Sequence, residues 1–270
     1  MGYQIIEVAP LSKRIGAEVS GADLSKPLSA AAVEEIKDAL HAHLVIFFRD
    51  QPLSPAQQVA LGRAFGNLAL HTGRDGLEDF PEVITIHADE TTRHVNTEGW
   101  HSDSSCNRAP PMGSILYMHT VPQSGGDTVF ASMYAAYEAL SPAMQAILGG
   151  LSAAHDGGQA YRRARPDLEK DYPSAIHPVI RTHPVTGRKG VYVNPTFTTK
   201  IAGMRRKESE AILSFLYQHM LDPAFHVRFR WRPHSVAFWD NRCTQHRAIF
   251  DYYPETRSGF RVDVEGDKPF

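Results

Sequence analysis

Two cysteines, Cys106 and Cys243, are all that 270 residues contain. That is too few for a disulfide framework, and a reducing compartment would keep both as thiols. Basic excess is also missing. A formal net charge of −2, from 28 Lys and Arg against 30 Asp and Glu, argues against nucleic acid as a partner. No apolar stretch approaches the roughly 20 residues needed to span a bilayer, so no membrane segment is expected. The opening Met1-Gly2-Tyr3-Gln4 has no basic region leading into an apolar run, and a cytoplasmic protein is expected. No internal repeat, low-complexity run or linker divides the chain. A hydrophobic content of 42% with 21% charged residues fits one globular domain over 1–270, large enough to bury about three quarters of its unfolded surface.

Apolar periodicity supplies the elements. Ser29 to His43 carries Ala32, Val33, Ile36 and Leu40 on one helical face, and Ser54 to Phe65 opens with the helix-starting pair Ser-Pro. Both should pack outside a sheet. Between them, the continuous apolar run from Leu44 to Phe48 reads as a central strand buried on both faces. Val83 to Ile86, Ile115 to Met118 and Val191-Tyr192-Val193 add strands. Phe225 to Trp231 alternates so that one face must meet water. Ile212, Leu213, Leu216 and Met220 place a further covering helix over Lys207 to Leu221. The charged stretch Tyr161 to Tyr172 reads as a solvated loop, an insertion or a lid.

His101 and Asp103 are the most informative residues. Positions i and i+2 of an extended segment face the same side, so an imidazole and a carboxylate there can reach one ion. A strand lying opposite in a closed sheet could add His246, from the stretch Trp239-Asp240-Asn241-Arg242-Cys243-Thr244-Gln245-His246. Two histidines and one carboxylate on one side of a metal leave its other positions open, the arrangement of non-haem Fe(II) oxygenases. The spacing is weak evidence by itself in a chain with 14 histidines. Cys243, His246 and His101 could alternatively hold zinc for a hydrolase. The plainer reading of both cysteines is as small hydrophobes near the mouth of the sheet.

The residues around this triad favour the oxygenase reading, with the zinc hydrolase kept as an alternative. His246 continues through Arg247-Ala248-Ile249-Phe250-Asp251-Tyr252-Tyr253-Pro254-Glu255-Thr256-Arg257 to Ser258-Gly259-Phe260-Arg261. This block resembles the taurine dioxygenase family of Fe(II)- and 2-oxoglutarate-dependent oxygenases, the taurine/2,4-dichlorophenoxyacetate dioxygenase group. Ile15 to Leu24, Val45 to Gln51, Gly125-Gly126-Asp127-Thr128, His177 to Pro184 and Gly266-Asp267-Lys268-Pro269-Phe270 are similar to other segments of that family. The resemblance covers nearly the whole chain. It implies a mainly β fold with flanking helices (α+β), a double-stranded β-helix or jelly roll. It also implies Fe(II) on His101, Asp103 and His246, with 2-oxoglutarate and O2 as cosubstrates. Arg257 and Thr128 would receive the far carboxylate of 2-oxoglutarate, for which a planar guanidinium is well shaped. His71 and Arg261 match the residues that hold the substrate's anionic group. Relatives often form dimers or tetramers, and a homo-oligomer is expected on that ground.

Departures from the taurine enzyme concern the substrate. Arg74 stands where that enzyme has a tyrosine, and Thr97, with Asn96 beside it, stands where it has an amide side chain. Ser104 replaces an aliphatic residue, and Gly157-Gly158 replaces bulkier ones. An enlarged, differently polar pocket is expected. It would take a small anionic substrate other than taurine: a sulfonate, an alkyl sulfate or an aryloxyalkanoate, with collapse of the hydroxylated product releasing sulfite, sulfate or a phenol. Gly187 to Asn194 also looks like the aryloxyalkanoate-cleaving relatives. Taurine dioxygenation proper and a non-catalytic anion-binding protein are the alternatives.

Overall fold

The structure, a computed structural model, describes residues 2–71, 73–93, 95–164 and 172–270. The first third of the chain forms β1 (Glu7–Pro10), β2 (Ala17–Ser20), α1 (Ala30–His43), β3 (Val45–Phe48), α2 (Pro55–Arg63), β4 (Leu68–Ala69) and β5 (Ile84–Ala88). The middle forms β6 (Gly113–Thr120), β7 (Thr128–Ser132), α3 (Met133–Glu138), α4 (Pro142–Leu148), β8 (Ser152–Asp156), α5 (Gly157–Ala164), β9 (Ser174–Pro178), β10 (Ile180–Thr182), β11 (Lys189–Val191) and β12 (Thr198–Ile201). Helix α6 (Arg206–His219) precedes β13 (His226–Phe229), β14 (Ser235–Asp240), β15 (Thr244–Ala248) and β16 (Arg257–Val264).

Both early helices begin where their side chains can satisfy free backbone donors. Ser29 accepts from Ala32 N at 3.2 Å, and Ser54 and Gln57 cap one another reciprocally ahead of Pro55. The main sheet runs β1-β2-β3-β14-β6-β16, with β4 and β5 both pairing β16. A smaller sheet, β13-β7-β15, faces it, and the two enclose a jelly-roll core.

Alternation explains the unbroken apolar runs. Along β3, Val45 and Phe47 point into the core between the sheets, while Ile46 and Phe48 pack beneath α1 and α2. Strands β6 and β14 divide in the same way: Leu116, Met118, Ala237 and Trp239 turn inward, and Ile115, Tyr117, Val236 and Phe238 outward. Each strand serves two cores, so no polar phase survives in its sequence. On β13, Val227 and Phe229 are buried and Arg228 is exposed, as its alternation predicts. Helix α6 covers a third core built with α3 and the β8–β12 region.

Two expectations change. The Val191-Tyr192-Val193 strand ends at Val191: Tyr192 N still reaches the Val179 carbonyl in register, but Val179 N turns to the Leu151 carbonyl, and the β10–β11 ladder stops there. The charged stretch 161–172 begins as the last turn of α5, and 165–171 lies outside the described residues.

Candidate metal centre and active site

His101 and Asp103 lie just before β6, outside any regular strand. His101 instead forms an isolated antiparallel bridge with His246 on β15, exchanging backbone hydrogen bonds of 3.1 and 2.8 Å. The third candidate ligand is therefore the direct cross-strand neighbour of the first, not a residue on an opposite strand. Their rings stand 4.2 Å apart between centroids. Asp103 Oδ1 lies 3.7 Å from His101 Nε2 and 4.0 Å from His246 Nε2. All three side chains are buried.

The donor set suits a divalent metal. His101 Nδ1 lies 2.8 Å from the Gly99 carbonyl, which fixes the proton on Nδ1 and leaves the Nε2 lone pair facing the other two ligands. Burial keeps both imidazoles neutral: it lowers the His101 pKa, and with His101 close by it pushes His246 down to about 3. Burial alone would raise the Asp103 carboxyl. The Arg261 guanidinium, helped by the Ser114 hydrogen bond, more than offsets this and holds it well below the usual carboxylate range. Fe(II) fits this set of two neutral nitrogens and one anionic oxygen.

A chain of hydrogen bonds aims Asp103. Ser114 Oγ donates to its Oδ2 at 2.8 Å, and Asn241 Nδ2 donates to Ser114 Oγ at 2.9 Å. Asn241 Oδ1 accepts from Asp103 N at 3.2 Å and from Trp239 Nε1 at 3.0 Å, which sets the orientation of the amide. Ser102 Oγ ties this segment to the Asn241 and Thr244 carbonyls at 2.7 Å each. Sequence reasoning missed Ser114 and Asn241. Their contacts cross 11 and 138 residues, and neither a serine in a strand nor an asparagine in a turn carries a periodic signal.

The cosubstrate candidates converge on the same face. In the β7–β15 ladder His246 pairs with Phe130 and Ala248 with Thr128. Thr128 therefore shares the face of His246, two rungs or about 7 Å along the sheet. Thr128 Oγ1 accepts from Trp231 Nε1 at 3.0 Å, so its own proton is directed elsewhere. Arg257 is 6% exposed, lies 5.5 Å over the Trp231 ring and donates through Nε to the Gly126 carbonyl at 3.1 Å. Gly125 and Gly126 take φ of +80° and +68°. A Cβ on Gly126 would sit 3.2 Å from Arg257 Cδ, and one on Gly125 would sit 2.5 Å from Asp251 Oδ1. The Gly-Gly-Asp-Thr segment is thus the turn that lets Arg257 approach. Trp231, read from sequence as the end of an alternating strand, is the organising residue that went unrecognised.

A cavity of about 60 Å³ opens beside the metal ligands, lined by His71, Arg74, Thr97, Ser104, Tyr161 and Arg261 among others. Arg261 sits on β16 four residues beyond Arg257 and on the same face. Its Nη1 donates to Asp103 Oδ1 at 2.8 Å and its Nη2 to Asp263 Oδ2 at 3.2 Å. Arg74 makes one long contact, 3.5 Å, with the Thr85 carbonyl. Burial, reinforced by the Arg261 and Arg74 charges, pushes His71 down to about 3. Its Nδ1 accepts from Gly73 N at 3.0 Å, so Nε2 carries the proton of the neutral ring. The backbone of Asn96 lies in a 3-10 turn, Asn96–Glu98; its side chain lies outside the described residues.

Two readings of the pocket are corrected. Gly157 does not enlarge it: the residue starts α5, and a Cβ there would press on Cys106 Sγ, Pro173 O and the Tyr161 ring, each at 3.1 Å. Helix α5 instead brings Tyr161 to the cavity wall, where its hydroxyl lies 3.0 Å from Ser104 Oγ. Cys243 does not join the two histidines. It groups with His183 and Asp240, which removes the zinc set drawn from Cys243, His246 and His101. Cys106 packs with Tyr161 and Phe197, and burial pushes its thiol up to about 12.

The chain is similar to catalogued proteins along almost its whole length. It is 33% identical over 277 residues, 98% of this chain and 91% of the relative, to an alpha-ketoglutarate-dependent sulfate ester dioxygenase of Pseudomonas putida. It is 32% identical to an alpha-ketoglutarate-dependent sulfonate dioxygenase of Saccharomyces cerevisiae, covering 98% of this chain and 68% of that one. The crystal structure of a taurine dioxygenase from Burkholderia xenovorans superposes with a TM-score of 0.87 at 38% identity, covering 98% and 91% of the two chains. Residues 7–262 match the family described as taurine catabolism dioxygenase TauD, TfdA family. The chain belongs to this family and is a dioxygenase dependent on alpha-ketoglutarate, that is 2-oxoglutarate, working with Fe(II) and O2.

Proposed function

We propose that the enzyme oxidises a sulfonate or sulfate ester held by Arg74, Arg261 and His71, with His101, Asp103 and His246 as the Fe(II) ligands and Thr128 and Arg257 as the seat of the far carboxylate of 2-oxoglutarate. The observation that carries this reading is one strand. β16 presents Arg257 and Arg261 on a single face about 13 Å apart, flanking the region of the buried triad, so two anions can approach one metal from two sides.

Fe(II) with 2-oxoglutarate and oxygen supplies oxidation of a C–H bond; the protein's own residues supply position. Thr128 Oγ1 accepts a hydrogen bond from Trp231 Nε1 and turns its own hydroxyl proton to the cosubstrate carboxylate, beside the Arg257 guanidinium. Across the metal, Arg74 and Arg261 hold the substrate anion by charge, and neutral His71 adds an Nε2–H donor. Tyr161 and Phe197 wall the cavity and exclude water. Ser104 and His71 separate it from an adjoining cavity of about 310 Å³, lined also by Leu70, Pro111 and Asp263. That space gives a larger substrate somewhere to extend, and the sulfate ester and sulfonate relatives support the same class.

The test is succinate formation from Fe(II), 2-oxoglutarate and oxygen across taurine, longer sulfonates, alkyl sulfates and aryloxyalkanoates, with sulfite, sulfate and phenol scored in parallel. Coupled succinate with an alkyl sulfate or a longer sulfonate is the expected result. Strong turnover confined to taurine would reject the larger-substrate reading, and turnover confined to aryloxyalkanoates would reject the sulfur-anion class.

A further inference from the structure

Asp103 Oδ1 faces two kinds of cation. It is the oxygen turned toward both imidazole Nε2 atoms, at 3.7 and 4.0 Å, and it also accepts from Arg261 Nη1 at 2.8 Å. The other oxygen, Oδ2, is taken by Ser114 at 2.8 Å. A metal held by the triad would therefore share its one anionic donor with a buried guanidinium. We propose that Arg261 sets the affinity of the metal centre by competing for Asp103 Oδ1, and that a substrate anion drawing Arg261 off this oxygen binds cooperatively with the metal. The proposal rests on the metal and substrate roles assigned above and adds a coupling between them.

The physical argument is local. Arg261 is 6% exposed and Asp103 3%, so little solvent screens a metal cation from the guanidinium beside it. That repulsion weakens metal binding for as long as Arg261 has nothing else to hold. Arg261 also keeps unused capacity: among the described residues its Nε is buried without a hydrogen-bond partner, and so is Asp263 Oδ1 beside it. A shift of the guanidinium away from Asp103 can therefore be compensated by bonds to an incoming anion while Nη2 stays near Asp263. A sulfonate or sulfate brings up to three acceptor oxygens and a negative charge to this point. Each ligand must then strengthen the other by the same factor, since coupling between two binding sites is reciprocal.

Calorimetric titration of the full chain with Co(II), which needs no turnover, tests this with inorganic sulfate as the anion probe and chloride holding ionic strength constant. In the unmodified protein, saturating sulfate is expected to tighten Co(II) binding about tenfold, and Co(II) to tighten sulfate binding equally. Arg261→Gln is expected to bind Co(II) more tightly than the unmodified protein without sulfate and to lose the sulfate dependence. Arg261→Lys, a point charge without the planar fork, should fall between. Sulfate-independent Co(II) affinity in the unmodified protein would overturn the coupling even if Arg261→Gln fails to fold, and so would a folded Arg261→Gln variant with unaltered Co(II) affinity. Co(II) binding without coupling would leave the metal triad standing, whereas no Co(II) binding at all would remove the triad and the coupling together.

Discussion

Two buried clusters of closely similar composition lie at opposite ends of the segment 240–246, and they do opposite things. His101, Asp103 and His246 converge with both Nε2 atoms free of hydrogen bonds among the described residues and facing one carboxylate oxygen. His183, Asp240 and Cys243 also converge, but the carboxylate oxygens and both imidazole nitrogens there are already used. Asp240 Oδ2 accepts from His183 Nε2 at 3.0 Å and Arg242 Nη2 at 2.6 Å, and Oδ1 accepts from Arg242 N and Nε at 2.9 Å each. His183 Nδ1 accepts from Val185 N and Thr186 N, so no lone pair is left on that ring. Asp103, like Asp240, is hydrogen-bonded through both oxygens, so the difference lies in the imidazole nitrogens turned toward a common centre, and proximity of His, Asp and Cys does not suffice.

The sharpest way to break this contrast is Asp103→Asn, expected to abolish Co(II) binding by calorimetry and 2-oxoglutarate turnover together. Retained metal affinity in that variant would equate the two clusters. Asp240→Asn should do the reverse, leaving Co(II) affinity unchanged while costing about 3 kcal/mol of stability by urea unfolding, because Arg242 loses its buried partner. Its pH dependence is a second readout. Against the opposing effect of burial, Arg242 and His183 hold the Asp240 carboxyl well below the usual range. Its contribution is complete above about pH 4 and is lost as pH falls below that toward the folded-state value, a loss that Asp240→Asn should not show.

Smaller effects separate the metal from its cosubstrate. Trp231→Phe removes the Thr128 hydrogen bond and keeps an aromatic ring under Arg257. It should weaken 2-oxoglutarate binding roughly fivefold, about 1 kcal/mol, with Co(II) affinity unchanged. An equal loss of metal affinity would show that Trp231 supports the fold instead. The smallest effect is expected from Cys243→Ala, whose sulfur makes a weak 3.8 Å contact with the Asp240 carbonyl, interacts with Tyr134 and groups with His183 and Asp240, not with the triad. Metal affinity should be unaltered in that variant.

How much of this was legible in the sequence depended on the range of the interaction. The caps at Ser29 and Ser54, the helical faces of α1 and α6 and the buried run of β3 follow from contacts within a few residues, and all were readable. Short helices such as α3, with six residues, have too few turns to show a period. The jelly roll was legible through resemblance to a family. Scattered short strands alone would suit several β architectures. Gly157 shows the opposite failure: the absence of a side chain suggested space, and the helix it begins filled that space with Tyr161.

The sequence by itself determined the chemistry on offer: two imidazoles, a carboxylate, an arginine pair spaced four apart, and a glycine pair before Thr128. Tertiary structure decided which of these face one another and which are already satisfied. It bridged His101 to His246, directed the Thr128 proton outward through Trp231, assigned Cys243 to the cluster with His183 and Asp240 and set Arg261 against the Asp103 carboxylate. The reason is physical. Residue type and spacing fix what a side chain can donate or accept, but the free energy of a buried polar atom depends on the partner that reaches it, and here those partners come from more than a hundred residues away.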